Sequence, residues 1–187
     1  MSGSSDMTGK TVVVSGSTRG IGRAIAERFA ELGANVVISG TTESVQDVAT
    51  ELRNAGYAVT GVQADVSIPE QAQQLIDTAV ATYGTVDVLV NNAGVTHLPS
   101  PMEEVSEADF DRILAVNCKA IYLAARTIVP LMKAQKSGAI VNIASTAGVS
   151  PRPRLSWYNA SKGWVITATR AMAVELAPFG IRVNALN

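Results

Sequence analysis

The chain has 187 residues, 47% of them apolar and 17% charged, with a formal net charge of −1. That length suffices for one domain with a full core, and a near-neutral chain without a basic run excludes nucleic-acid binding through a phosphate footprint. The single cysteine, Cys118, excludes an internal disulfide and reads as a small core residue, and no Cys/His cluster is present to hold zinc, so no metal is expected.

Strand-like and helix-like segments then alternate from end to end. Residues 1–9 open on a small, polar stretch that is not a signal peptide and read as a flexible tail, leaving residues 10–187 as the domain. Thr11 to Val14 is a β-branched run suited to a buried parallel strand. Ile21, Ala24, Ile25, Phe29 and Leu32 recur at helical spacing, and Gly33 closes that helix. Asn35 to Ile38 predicts the second strand. Val45, Val48, Ala49 and Leu52 form a helical stripe ended by Gly56, and Val59 to Ala64 predicts the third strand. A helix begins near Pro69 and carries Ala72, Leu75, Ile76, Ala79 and Tyr83. Val86 to Val90 predicts the fourth strand, and one long helix is expected from Ser106 to about Lys133. Ala139 to Ala144, a helix from Leu155 to Ala177 stopped by Pro178 and Gly180, and a strand from Ile181 to Leu186 complete the chain. Repeated β-α units predict an α/β domain: a doubly wound parallel sheet in three layers, α/β/α. Such a sheet binds its ligand at the carboxyl ends of its strands. No apolar stretch is read as long enough for a membrane span, and the cytoplasm is the expected location.

Three local patterns carry chemistry. Ser15-Gly-Ser-Thr-Arg-Gly-Ile-Gly22 follows the first strand and opens the first helix. Glycines there let backbone approach a pyrophosphate, and the helix N-terminus supplies N–H groups. Gly16, Ser17, Thr18, Arg19, Gly20, Ile21 and Gly22 are thus candidate dinucleotide contacts. At the end of the second strand, where NAD enzymes usually place an acidic residue on the ribose, Ser39, Gly40, Thr41 and Thr42 offer no carboxylate. Room there for a 2′-phosphate, with Arg19 nearby, favours NADP(H) over NAD(H), and Gly40 and Thr41 join the cofactor set. Finally, Tyr158 and Lys162 are four apart on one helical face, with Ser145 thirteen residues upstream of Tyr158. A phenol beside an ammonium is a strengthened acid that can protonate a carbonyl oxygen near neutral pH.

With these glycines, Asp65-Val66, Asn91-Asn-Ala-Gly94, Asn117, Ser145, Tyr158 and Lys162 in this order, the chain resembles the classical short-chain dehydrogenases/reductases over about residues 10–187. The resemblance implies a Rossmann fold and an NAD(P)-dependent enzyme acting on CH–OH or C=O groups. In it, Asp65 and Val66 would border the adenine. Asn91 would brace the central strand, and it is counted with Ala93 and Gly94 in the cofactor set. Ser145 would donate to the substrate carbonyl and Tyr158 would be the acid/base. Lys162 would hold the nicotinamide ribose and strengthen that acid, Tyr158 and Lys162 both being counted in the cofactor set as well, and Asn117 would hold a water for proton relay. Alone, Asn117 could cap or kink its helix, and Ser145 could end a strand. The closest likeness is to the 3-oxoacyl-carrier-protein reductase and glucose-dehydrogenase-like branch, but Lys136 and Phe179 stand where the carrier-protein reductases commonly carry Arg. Family members also continue past the position of Asn187 with a substrate lid and a last strand that this sequence lacks.

The resemblance further implies a small carbonyl or alcohol substrate and a homodimer or homotetramer. Assembly would use the long helix and the one carrying Tyr158, where Ile121, Leu123, Ile128 and Leu131 offer more apolar surface than one buried face needs, though all four could be core. Arg152 and Arg154, between Ser145 and Tyr158, could draw an anionic substrate, and His97 could line the site. The alternative is a non-catalytic nucleotide-binding sensor or scaffold of the same fold.

Overall fold

A computed structural model describes residues 6–187. Its sheet has six parallel strands: β1 (Thr11–Val14), β2 (Asn35–Gly40), β3 (Val59–Gln63), β4 (Val88–Asn91), β5 (Gly138–Ile143) and β6 (Ile181–Leu186). They lie in the order β3-β2-β1-β4-β5-β6. Helices α1 (Gly20–Glu31), α2 (Ser44–Asn54), α3 (Pro69–Tyr83), α4 (Glu107–Leu114), α5 (Ala120–Gln135) and α6 (Ser156–Leu176) cover both faces. The predicted doubly wound sheet is therefore the observed one, with strand ends shifted by up to two residues.

Parallel strands buried on both faces read as unbroken apolar runs, and Val12, Val13 and Val14 have no exposed surface. Alternation sends Val12 and Val14 into one core layer with Ala26, Val36 and Ile38, and Val13 into the other with Leu89, Ile128 and Ile140. The strand order reverses between β1 and β4, so the loops leaving those two strands diverge and open a crevice.

Three observations depart from the sequence reading. Residues 6–9 do not leave the domain: the Met7 N–H donates to the Leu32 carbonyl at 2.9 Å, and Met7 packs on the core. The tail expected at residues 1–5 lies outside the described residues. The long helix is continuous over Glu107–Gln135, but Ala115–Lys119 is wound as a π-helix between α4 and α5. That rod is also long and apolar enough, by length and composition, to cross a membrane, contrary to expectation. In the fold Ile113, Ile121, Leu123, Ile128 and Met132 are buried, so much of its apolar surface serves the core. Ile121, Leu123 and Ile128 are thus core residues rather than interface, and Leu131 is half-buried against the same core.

Candidate active site

The crevice holds the glycine loop on one side and the Asn-Asn-Ala-Gly turn on the other. Gly16 lies in the left-handed region at φ 61°, and a Cβ there would stand 2.9 Å from the Ala93 Cα. Only glycine permits both that backbone and that approach. Ser15 and Asn92 lace the two segments. Ser15 Oγ accepts from the N–H groups of Asn92 and Ala93, each at 3.1 Å. The Asn92 amide donates to the carbonyls of Ser15 (2.9 Å) and Gly16 (2.8 Å). Between them runs a groove of about 680 Å³.

Gly16, Thr18, Arg19, Gly20, Ile21, Gly22, Gly40, Thr41, Asp65, Val66, Ala93 and Gly94, all expected on sequence grounds, line this groove. Of the rest of the expected cofactor set, Tyr158 and Lys162 line the adjoining cavity described below, and two residues line neither space. Ser17 is fully buried, donating to the Val14 carbonyl (2.6 Å) and accepting from the Ser39 N–H (3.0 Å). Asn91 turns into the sheet and donates to Asn142 Oδ1 at 2.8 Å, a side-chain bond between β4 and β5. Ser67, Asn92, Arg112 and Val116 line the groove without having been foreseen. Asn92 sits inside the recognised turn; Arg112 carried no sequence signal, being brought there by α4.

The groove fits a dinucleotide. α1 has no side-chain cap and no acidic residue in its first turn, so its N-terminal N–H groups and positive dipole end face the groove unmatched. No carboxylate stands between Ser39 and Thr42 at the end of β2, and Thr41 is exposed. Gly40 leaves no room for a side chain: a Cβ would sit 2.6 Å from the Thr18 methyl. Arg19 is exposed and makes no ion pair among the described residues.

A second cavity of about 600 Å³ adjoins the groove through Ile21, Asn92, Gly94 and Val95. Ser145, Tyr158 and Lys162 open into it. Ser145 begins a 3₁₀ turn, Thr146–Gly148, and its Oγ accepts from the Ala147 N–H at 3.1 Å, so its own O–H remains available to donate. Lys162 is only 5% exposed. Its ammonium lies 6.0 Å from the centre of the Tyr158 ring and donates to the Ile143 carbonyl at 2.8 Å. Burial pushes its pKa below the ordinary 10.5, with nearby Cys118 opposing that shift. Burial also pushes the Cys118 thiol up to about 11.

Asn117 stands at the centre of the π-helical segment. Its Oδ1 accepts from the Val95 N–H (2.8 Å), and its amide donates to the Val95 carbonyl and to Ser161 Oγ, both at 2.9 Å. Ser161, with no exposed surface, donates to the Tyr158 carbonyl at 2.7 Å. Both amide N–H groups of Asn117 are therefore used within the protein. The side chain clamps the cavity wall to the helix of Tyr158, and its kinking and bracing roles coincide.

Other expectations fall away from the cavity. Arg152 lines a separate groove with Pro151, Asn159 and Gly163. Arg154 is exposed and lines neither the groove nor the cavity. His97 is a loop residue but only 4% exposed; its Nδ1 pairs with the Leu98 carbonyl at 2.7 Å, and it too lines neither. Phe179 is stacked by the Lys133 ammonium 4.1 Å from the ring centre.

Comparison with known proteins agrees with this geometry. Glucose 1-dehydrogenase 2 of Bacillus subtilis is 40% identical over 188 residues; the match covers 97% of this chain and 71% of that one. Among solved structures, the 3-ketoacyl-(acyl-carrier-protein) reductase of Brucella melitensis complexed with NADH superposes with a TM-score of 0.93 at 42% identity, over 97% of this chain and 75% of that one. A metagenomic short-chain oxidoreductase in complex with NADP gives 0.91 at 37% identity, over 97% and 82%. The profile of the short chain dehydrogenase family matches residues 10–187, and the chain is a member of that family.

Proposed function

We propose that this chain moves a hydride between a nicotinamide dinucleotide, NADP(H) in preference to NAD(H), and a small carbonyl compound or secondary alcohol. The observation that carries this reading is the continuity of the two cavities: a ligand lying in the glycine groove extends into the space where Ser145, Tyr158 and Lys162 converge. Gly16 to Gly22, Asp65, Val66, Ala93 and Gly94 would hold the dinucleotide, which when bound supplies or accepts the hydride.

The protein's own groups manage the proton and the charge. The free O–H of Ser145 is placed to donate to a substrate oxygen and stabilise charge developing on it. Tyr158 gives a proton to that oxygen in reduction, or takes one in oxidation. Lys162 has three donors and, among the described residues, one partner, Ile143, so two N–H groups remain for ribose hydroxyls and for steadying a phenolate. A relay water at Asn117 would donate to it, at Oδ1 or at the main-chain carbonyl, since both amide N–H groups are engaged. The phosphate preference is supported by the carboxylate-free end of β2 and by Arg19.

The test is direct. Purified protein is offered a panel of ketones and aldehydes with NADPH or NADH, and cofactor oxidation is followed. Turnover with tighter binding of NADPH is expected; no turnover with either cofactor overturns the reading. We further propose self-association through α5 and α6, on which Tyr122, Trp164 and Val174 remain exposed.

A further inference from the structure

We infer that Gly148 is a positioning residue that sets the separation between Ser145 and the Tyr158–Lys162 helix. The inference rests on the oxidoreductase reading above. Ser145 to Gly148 is a tight turn. The Gly148 N–H donates to the Ser145 carbonyl at 2.9 Å, and Thr146 accepts from Val149 (3.0 Å) and Ser150 (2.8 Å). Any displacement of Gly148 is therefore passed directly to Ser145.

Gly148 rests on the backbone of α6. A Cβ added there would stand 2.7 Å from the Lys162 carbonyl carbon, 2.8 Å from the Gly163 nitrogen and 2.8 Å from the Lys162 oxygen. All three are main-chain atoms, so no side chain can rotate aside. Gly148 is not among the residues at positive φ, so this glycine is required for space and not for conformation. The same lysine returns to the strand before the turn, because its ammonium donates to the Ile143 carbonyl at 2.8 Å. Ile143, Ser145, Gly148 and Lys162 thus form a closed circuit. Its smallest gap is the backbone crossing at Gly148, and Tyr158 is one helical turn from that crossing.

Ordinary van der Waals contact begins near 3.4 Å. A methyl group at Gly148 therefore forces the two segments apart by about 0.7 Å, and misplacement on that scale costs on the order of 10- to 100-fold in rate.

The experiment compares the parent, Gly148→Ala, Ser145→Ala and the double variant, measuring kcat, KM, NADPH affinity and melting temperature. Gly148→Ala should lower kcat by about 10- to 100-fold while NADPH affinity changes less than about threefold, because the short turn yields before the 21-residue α6 and so leaves Lys162 and the glycine loop in place. In the Ser145→Ala background the same substitution should cost less than about threefold, since the group it misplaces is already gone. Full additivity of the two losses, or parental kcat in Gly148→Ala, overturns the inference. Gly163→Ala is the control at the same crossing, because its Cβ meets only the Gly148 oxygen at an ordinary 3.6 Å. It should keep parental kcat, and loss there equal to that of Gly148→Ala also overturns the inference. Should Gly148→Ala fail to fold, Ala147→Gly loosens the same turn without adding an atom. It should lose kcat several-fold, again only when Ser145 is present, and no loss refutes the idea. A parent that reduces no carbonyl compound fails the oxidoreductase reading itself; an active parent matched by Gly148→Ala fails only the inference.

Discussion

Replacing Tyr158 by Phe removes one oxygen atom from the proposed acid, and the structure separates what that does to stability from what it does to rate. The Tyr158 hydroxyl has no hydrogen-bond partner among the described residues, and the ring is half-buried beside the Lys162 ammonium. Removing the oxygen leaves no orphaned donor or acceptor and no cavity, so folding stability should change by no more than about 0.5 kcal/mol. The Ser161 bond that braces this turn goes to the Tyr158 carbonyl and survives the substitution. The chemical step loses its proton donor, typically worth about 10²- to 10⁴-fold, or roughly 2.7 to 5.4 kcal/mol of barrier. The assay uses a substrate the parent accepts and follows cofactor oxidation under single-turnover conditions, so that slow product release cannot mask the chemistry. Parallel melts and NADPH titrations should superpose on those of the parent. Near-parental turnover would remove Tyr158 from the mechanism. A rate loss matched by falls in melting temperature and cofactor affinity would make the residue a scaffold instead.

Three further outcomes follow from the same geometry. Thr41→Asp places a carboxylate on the exposed end of β2, where Gly40 would clash with Thr18, and should turn NADPH preference into NADH preference by like-charge repulsion; unchanged preference in paired fluorescence titrations contradicts the phosphate assignment. Because burial depresses the Lys162 pKa, its charged form costs stability below that depressed value, and the cost disappears as pH rises through it toward 10.5. The parent should therefore gain stability relative to Lys162→Met between neutral pH and 10.5, and melts showing a constant difference across that window would refute the burial argument. Trp164→Glu, at a half-exposed position on α6, should shift light scattering from dimer to monomer; a parent that is monomeric at micromolar concentration ends the self-association proposal.

The sheet was legible because its strands are short apolar runs bounded by glycine and its helices carry a regular apolar stripe, both local properties. The site was legible where spacing alone fixes neighbours: Tyr158 and Lys162 share a helical face, and the glycine loop joins a strand to a helix. What failed to show was set by contacts distant in sequence. The π-helical turn at Asn117 depends on Val95, 22 residues away, and Ser161, 44 away, gripping one amide. A helical periodicity cannot report such a grip, so the reading gave one uninterrupted helix. Ser17 and Asn91 belong to recognised motifs, yet motif membership does not say which way a side chain turns, and both turn inward. Arg152 sits on the far side of the loop it shares with Ser145, because that loop is long enough to present residues to either side.

The lacing of Ser15 and Asn92 has a kinetic consequence. Each holds the other's loop through two bonds, so the groove stands at its working width before any ligand arrives. Binding then demands little ordering of the chain, and entry is limited by encounter rather than by rearrangement. Amide hydrogen exchange at Ser15, Ser17, Asn92 and Ala93, whose N–H groups are already bonded, should be slow in the free protein and deepen little on saturation. Substitutions that weaken the groove should shorten the time a dinucleotide stays while barely changing how fast it enters.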